Sequence, residues 1–384
     1  MSKQEEQPNR PHVILQGGFG EVPDEVLLGT MGRVTSSSQM EEFLDCMVRG
    51  FHMPHYEDVR PGGVARHLGT AFHKYQEKRF DRDIESTEEK IEAAEGAVDE
   101  VFRKIMERAS EFDADKFTAD LSSWRTHWLE PALKHFENTQ EENHAGHVLA
   151  TEVPFWIVVQ CHPSGRVDFA PFCVIGTIDQ FRREDSKLTL GEWKTIDEKV
   201  VISSWLEHRE LSPQHNVYQT VGKLFADTIG KIGKDTPDDD LPFRGMRFWP
   251  SEFAGIRYLF ARRAKFPQKA SKNGTVEERA KEWADTAFLD DISRYGHVNH
   301  EMRMIGVAAW MFDQMGNPFG LQKNIRACER FGSKCPLWDF CHQDVQISLL
   351  AHLIPNEDYQ LKKVVDRATK LIREQMEKAR PDVN

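Results

Sequence analysis

The stretch Gly176-Thr-Ile-Asp-Gln-Phe-Arg-Arg-Glu-Asp-Ser-Lys-Leu-Thr-Leu-Gly-Glu-Trp-Lys-Thr195 reads as two short strands around a polar turn, Glu184-Asp185-Ser186-Lys187. Three ionisable residues stand where a strand pattern prefers apolar or neutral ones: Asp179, Glu192 and Lys194. Glu192 and Lys194 are two apart, so in an extended strand their side chains leave the same face. A turn centred between Asp185 and Ser186 sets Asp179 directly opposite Glu192, near enough for both to hold one ligand. Two carboxylates and a lysine converging on a sheet face are costly unless a cation joins them. Metal-dependent hydrolysis of a phosphodiester uses such an arrangement.

Upstream of the hairpin, Val148–Cys161 is a strand rich in β-branched and aromatic residues, with Glu152 its one acid. His162-Pro-Ser-Gly-Arg166 turns the chain back, and Cys161 and Cys173 beside it read as ordinary strand thiols. Downstream, residues 211–226 read as a helix with Ser212 as N-cap and Pro213 in the first turn; Gln214 and Tyr218, four apart, share a face. Met246–Trp249 and Ile256–Ala261 read as two further strands, and residues 276–315 as helix. Towards the N-terminus, a Ser at 37 or 38 caps a helix that carries Cys46. Residues 64–80 form another helix, in which Gly69 and His73 share a face and the glycine lets that face approach another backbone. Residues 81–140 are helical, charged and punctuated by Trp124, Trp128 and Leu133, a lobe beside the core. Residues 1–30 show little periodicity and are expected to be a flexible lead-in; 346–384 are expected to be a helical tail.

With 384 residues, a 39% apolar fraction, 24 Phe and 9 Trp, the chain can bury a large core and is not a disordered protein. It has neither a bilayer-length apolar run nor a signal-peptide core, so a cytoplasmic protein with no membrane partner is expected, in a host cytoplasm if phage-encoded. The net charge of −12 counts against a nucleic-acid partner until its distribution is considered. Arg257, Arg262, Arg263, Lys265, Lys269 and Lys272 make a run with no acid among them, a candidate contact for a phosphate backbone, with Phe260 and Phe266 interleaved as candidate stacking residues. Cys328, Cys335 and Cys341 lie within fourteen positions, a spacing that points to bound metal or a cluster. The fourth ligand is either Cys46, tying the first helix to the end of the chain, or His342, making a local zinc site.

The order of these pieces resembles the PD-(D/E)XK nuclease superfamily. A Gly-x3-His helix precedes a strand with Glu; then come Gly-x2-Asp, Glu-x-Lys, a Gln-x3-Tyr helix and Cys-Pro-x4-Cys. The nearest likeness is to RecB- and AddB-type and CRISPR-associated exonucleases with an iron–sulfur cluster, although the first cysteine gap here is longer than CRISPR-associated members usually have. The resemblance implies an α/β core, a mixed central sheet flanked by helices. Residues 31–345 would form the nuclease domain, with a helical insertion at 81–147 and a cluster-stapled lobe at 296–345. It implies Asp179, Glu192 and Lys194 as catalytic residues, with His73, Asp179 and Glu192 on Mg²⁺ or Mn²⁺. Gln214 and Tyr218 would lie near the substrate, and Glu152 matches an acid often found at that strand. It also implies a [4Fe-4S] cluster on Cys46, Cys328, Cys335 and Cys341. The expected activity is an exonuclease acting on DNA ends or single strands in recombination, repair or phage replication. The alternatives are a structure-specific endonuclease and a DNA-binding assembly factor. With no Walker-type phosphate loop present, unwinding would fall to a helicase or recombination partner.

Overall fold

The computed structural model describes residues 13–52, 56–58, 64–81, 83–110, 115–134, 137, 148–161, 169–197, 200–232, 236–237, 241, 243, 246–263, 284–290, 300–316, 335, 337–343, 346, 353–355 and 360–378. Its centre is the hairpin of β5 (Phe172–Glu184) and β6 (Lys187–Asp197). Asp185 and Ser186 both take positive φ (47° and 66°). Two such residues between paired strands match the right-handed twist of a hairpin, so the polar turn sets the register: Glu184 pairs with Lys187 and Gln180 with Gly191.

Around the hairpin the sheet runs β1 (Val13–Phe19), β4 (Val148–Cys161), β5, β6, β7 (Phe253–Arg263) and β8 (Ala284–Asp290). The β6–β7 pair is parallel, and β2 (Val34–Ser36) adds a short parallel pairing to the start of β5. The remaining ladders are antiparallel, so the sheet is mixed. A separate two-stranded sheet joins β3 (Tyr56–Asp58) to β9 (Leu353–Pro355).

Helices cover both sheet faces. On one side α2 (Ser37–Asp45), α8 (Pro213–Lys231) and α9 (His300–Met315) bury a cluster that includes Phe43, Phe155, Phe181, Tyr218, Phe225 and Met304. Gly222 lets α8 lie close on β7, since a β-carbon there would sit 2.3 Å from the Phe253 ring. On the other side α4 (Val64–Arg79) packs with α5 (Thr87–Ser110) and α6 (Asp115–Trp124), burying Phe72, Tyr75, Trp128, Trp193 and Leu259. The helical lobe is thus continuous with the core through α4. The tail helix, α11 (Gln360–Lys378), seats Leu361 and Ala368 against α1 (Asp24–Gly29) and β2. Among the described residues, no helix is long and apolar enough to cross a membrane.

Four expectations need correction. The lead-in is structured from Val13, where β1 pairs with β4 along its length; its Gly17-Gly18 and Gln16 hide the strand because β1 borrows its register from β4. Met246–Phe248 is a 3-10 turn rather than a strand. Residues 284–290 form β8 rather than helix, since pairing to β7 overrides a weak helical pattern. The α2 cap is Ser36, whose hydroxyl accepts from the Gln39 N–H, one residue earlier than expected. The intervening α3 (Met47–His52) and α7 (Ile202–Glu210), and the short α10 (Trp338–Gln343), complete the described helices used below.

Candidate metal centre

The candidate site lies where the hairpin forks. Backbone pairing of β5 with β6 runs from Glu184 to Gln180 and stops one position short of Asp179. Beyond that point β5 turns to β2, while β6 continues along β7 to Asp197. The Trp193 N–H, next in line on β6, donates to Asp179 Oδ2 at 2.8 Å, so a carboxylate takes the place of a ladder carbonyl. The fork is therefore held by Asp179 itself.

Three elements bring ligand-type atoms to this point. His73 on α4, Glu152 on β4 and Asp179 on β5 each offer an atom, and the three lie within 4.8 Å of one another. His73 Nδ1 is 3.6 Å from Asp179 Oδ2. The helix can approach this closely because Gly69, one turn before His73, leaves room for the Thr195 hydroxyl, which a β-carbon there would meet at 3.1 Å. Glu152 takes φ +49° within a strand, an uncommon conformation for a glutamate. Its neighbours keep register, Thr151 with Gln180 and Val153 with Ile178, so Glu152 falls opposite Asp179.

Glu192 stands beside this trio and is 1% exposed. Its Oε1 accepts from Lys194 Nζ and, at 3.0 Å, from Gln214 Nε2. Its Oε2 is buried with no hydrogen-bond partner among the described residues. Gln214 Nε2 also reaches the Tyr218 hydroxyl at 3.1 Å, and that hydroxyl donates to the Thr177 carbonyl at 2.9 Å. The Gln-x3-Tyr face of α8 thus locks Glu192 to the strand that carries Asp179.

The electrostatics are those of a site short of positive charge. Burial, with Glu192 and Glu152 adding to it, holds the Asp179 carboxyl well above the usual range; Lys194 offsets this only in part. Burial, with Glu77 adding to it, pushes Glu152 up to about 7. Burial, and then Lys194, pushes His73 down, leaving a neutral imidazole able to coordinate. A cleft of about 410 Å³ opens over His73, Glu152, Asp179 and Lys194, with Lys74 and Glu77 on its wall. One imidazole and the carboxylate oxygens of Glu152 and Asp179 make a donor set that fits Mg²⁺ or Mn²⁺.

The expected site residues are therefore distributed unevenly. Asp179, Glu192, Lys194, Gln214, Tyr218 and His73 come together. Glu152 joins the tight group in which Glu192 had been expected; the signal was a lone acid in an apolar strand, but nothing in the sequence marks its left-handed backbone. Of the basic run, only Arg257 has side-chain contacts described. Arg257 forks onto Glu184, with Nε 2.6 Å from Oε1, and is a structural partner rather than an available phosphate contact. Phe260 is fully buried in the core, so it cannot stack a base. Arg262 and Arg263 end β7; Lys265, Phe266, Lys269 and Lys272 lie outside the described residues.

Of the cysteine set, Cys46, Cys335 and Cys341 form no disulfide among the described residues, and Cys328 lies outside them. Burial pushes the Cys335 thiol up, and the neighbouring Cys46 adds to that. The His52 ring packs on Phe340 at 5.1 Å, joining α3 to α10. The segments around α3 and α10 therefore meet, with Cys46 near Cys335. His342 is exposed and stacks on Trp338 at 4.2 Å.

No individual curated protein matches the chain. Residues 34–234, which hold every residue placed at the fork, match the PD-(D/E)XK nuclease superfamily. A mixed sheet flanked by helices, with Asp179 and Glu192-x-Lys194 at the fork of its central hairpin, accords with that match, and the chain belongs to the PD-(D/E)XK nuclease superfamily.

Proposed function

We propose that this chain is a Mg²⁺- or Mn²⁺-dependent deoxyribonuclease that processes DNA ends. The observation that carries the reading is the convergence of His73, Glu152 and Asp179 at the fork, with Lys194 alongside. His73, Glu152 and Asp179 would hold the ion, with the buried Glu192 carboxylate beside them. When bound, the ion neutralises the scissile phosphate and lowers the cost of forming the attacking hydroxide. Lys194 orients the attacking water, assists its deprotonation and offsets charge as the phosphorane-like state forms. Gln214 and Tyr218 keep Glu192 in place through its Oε1.

A second proposed element is a [4Fe-4S] cluster on Cys46, Cys328, Cys335 and Cys341, which clasps the chain ends and leaves the chemistry to the fork. Supporting it is the nearness of Cys46 to Cys335. A brown purified protein that loses both colour and several degrees of melting temperature in Cys335→Ala supports the clasp. A colourless protein, or a variant with unchanged stability, rejects it.

The activity is tested by incubating end-labelled linear DNA, single- and double-stranded, and closed circular DNA with Mg²⁺ or Mn²⁺. Degradation of the linear forms alone supports end processing. Cutting of circles transfers the assignment to an endonuclease, and cleavage of neither rejects the nuclease reading.

A further inference from the structure

We infer that Glu41, on a helix outside the fork, is a positioning residue for the reaction: it fixes the first turn of α8 so that Gln214 reaches Glu192. The inference rests on the nuclease reading above and adds to it a residue that none of the family motifs includes.

The first turn of α8 has backbone N–H groups with no partner inside the helix. Ser212 satisfies one, accepting from the His215 N–H at 3.2 Å, and Pro213 has none to satisfy. The Gln214 N–H points instead to Glu41 Oε1, at 3.4 Å. That same oxygen is held by Arg209 Nη1 at 2.9 Å, from the end of α7. A carboxylate at a helix N-terminus also meets the positive end of the helix dipole. Glu41 thus joins three elements, α2, α7 and α8, at the residue whose side chain grips the catalytic carboxylate.

The position is sensitive because Gln214 has two jobs at once. Its backbone is held by Glu41 and its side-chain amide by Glu192 and Tyr218. A small rotation of the first turn would move the amide away from Glu192 Oε1 and leave Lys194 as the main contact fixing that carboxylate. Glu41 is 34% exposed and lies outside the apolar clusters, so its structural share is confined to the ion pair with Arg209. Its contribution should appear as rate.

The test is a double-mutant cycle read by single-turnover cleavage of linear DNA, with enzyme and divalent ion in excess. Glu41→Ala is expected to slow cleavage about tenfold with DNA affinity close to wild type, and to lower the melting temperature equally in both backgrounds because Arg209 loses its partner. In a Gln214→Ala background the same change is expected to cost no further rate, because the group that Glu41 positions is gone. Glu41→Gln, which keeps an acceptor oxygen, is expected to recover most of the rate. Equal losses of rate in both backgrounds, or no loss in either, overturn the inference. If Glu41→Ala does not fold, the cycle run with Glu41→Met, which keeps the bulk but has no acceptor oxygen, decides: a loss confined to the Gln214-containing background supports the inference, and any other pattern overturns it. Wild-type protein that fails to cut DNA rejects the function itself, a result distinct from each of these.

Discussion

The two ends of one hairpin treat buried acid in opposite ways. Near the turn, Glu184 is met by two guanidiniums, Arg182 at 3.0 Å and Arg257 through a fork at 2.6 and 2.7 Å. Burial alone would push the Glu184 carboxyl up, yet Arg257 and Arg182 hold it below the usual range. At the fork, Asp179, Glu192 and Glu152 meet Lys194, a Lys74 already paired with Glu77, and a histidine that burial keeps neutral. The same strands supply both ends, so the difference lies in which partners the sequence provides. Where charge is balanced, the hairpin is being held together. Where it is left unbalanced in a buried setting, the site suits a cation.

The contrast breaks most decisively at Asp179. Asp179→Ala is expected to lower cleavage by at least about 10³-fold while circular dichroism stays native. Asp179→Asn should raise the melting temperature in EDTA, because it removes one charge from a cluster with too many; a lowered melting temperature would mean that the fork is balanced after all. Lys194→Ala comes next, with a loss in kcat of about 10²-fold and little change in ion affinity, measured by rate against Mn²⁺ concentration. Glu152→Gln should raise the Mn²⁺ concentration needed for half-maximal rate by about tenfold; an unchanged requirement would remove Glu152 from the ion's ligands. The smallest effect on activity is expected at the turn. Glu184→Gln should cost about 1–3 kcal/mol of stability in urea unfolding and leave the Mn²⁺ dependence untouched.

Much of the fork was legible in the sequence because it depends on local geometry. The Glu184–Lys187 turn dictates the register, and the register sets Asp179 across from Glu192. Ser212 and Pro213 start α8 where a capping argument puts it, which aligns Gln214 with Tyr218. The rest is tertiary. Val13–Phe19 becomes a strand only because β4 offers an edge to pair with. Glu152 enters the cluster through a left-handed backbone that no glycine or asparagine announces. Arg257 looked like one of six available cations, but the residue that claims it, Glu184, is 73 positions away in the chain. Glu41 is 173 positions from Gln214, and no spacing rule links them.

The central claim, that the fork holds a divalent ion, is tested most directly by calorimetric titration of Mn²⁺ into wild-type protein and Asp179→Ala without DNA. The account predicts saturable binding in the wild type that is lost in the variant. Equal binding in both, or none in the wild type, would contradict it.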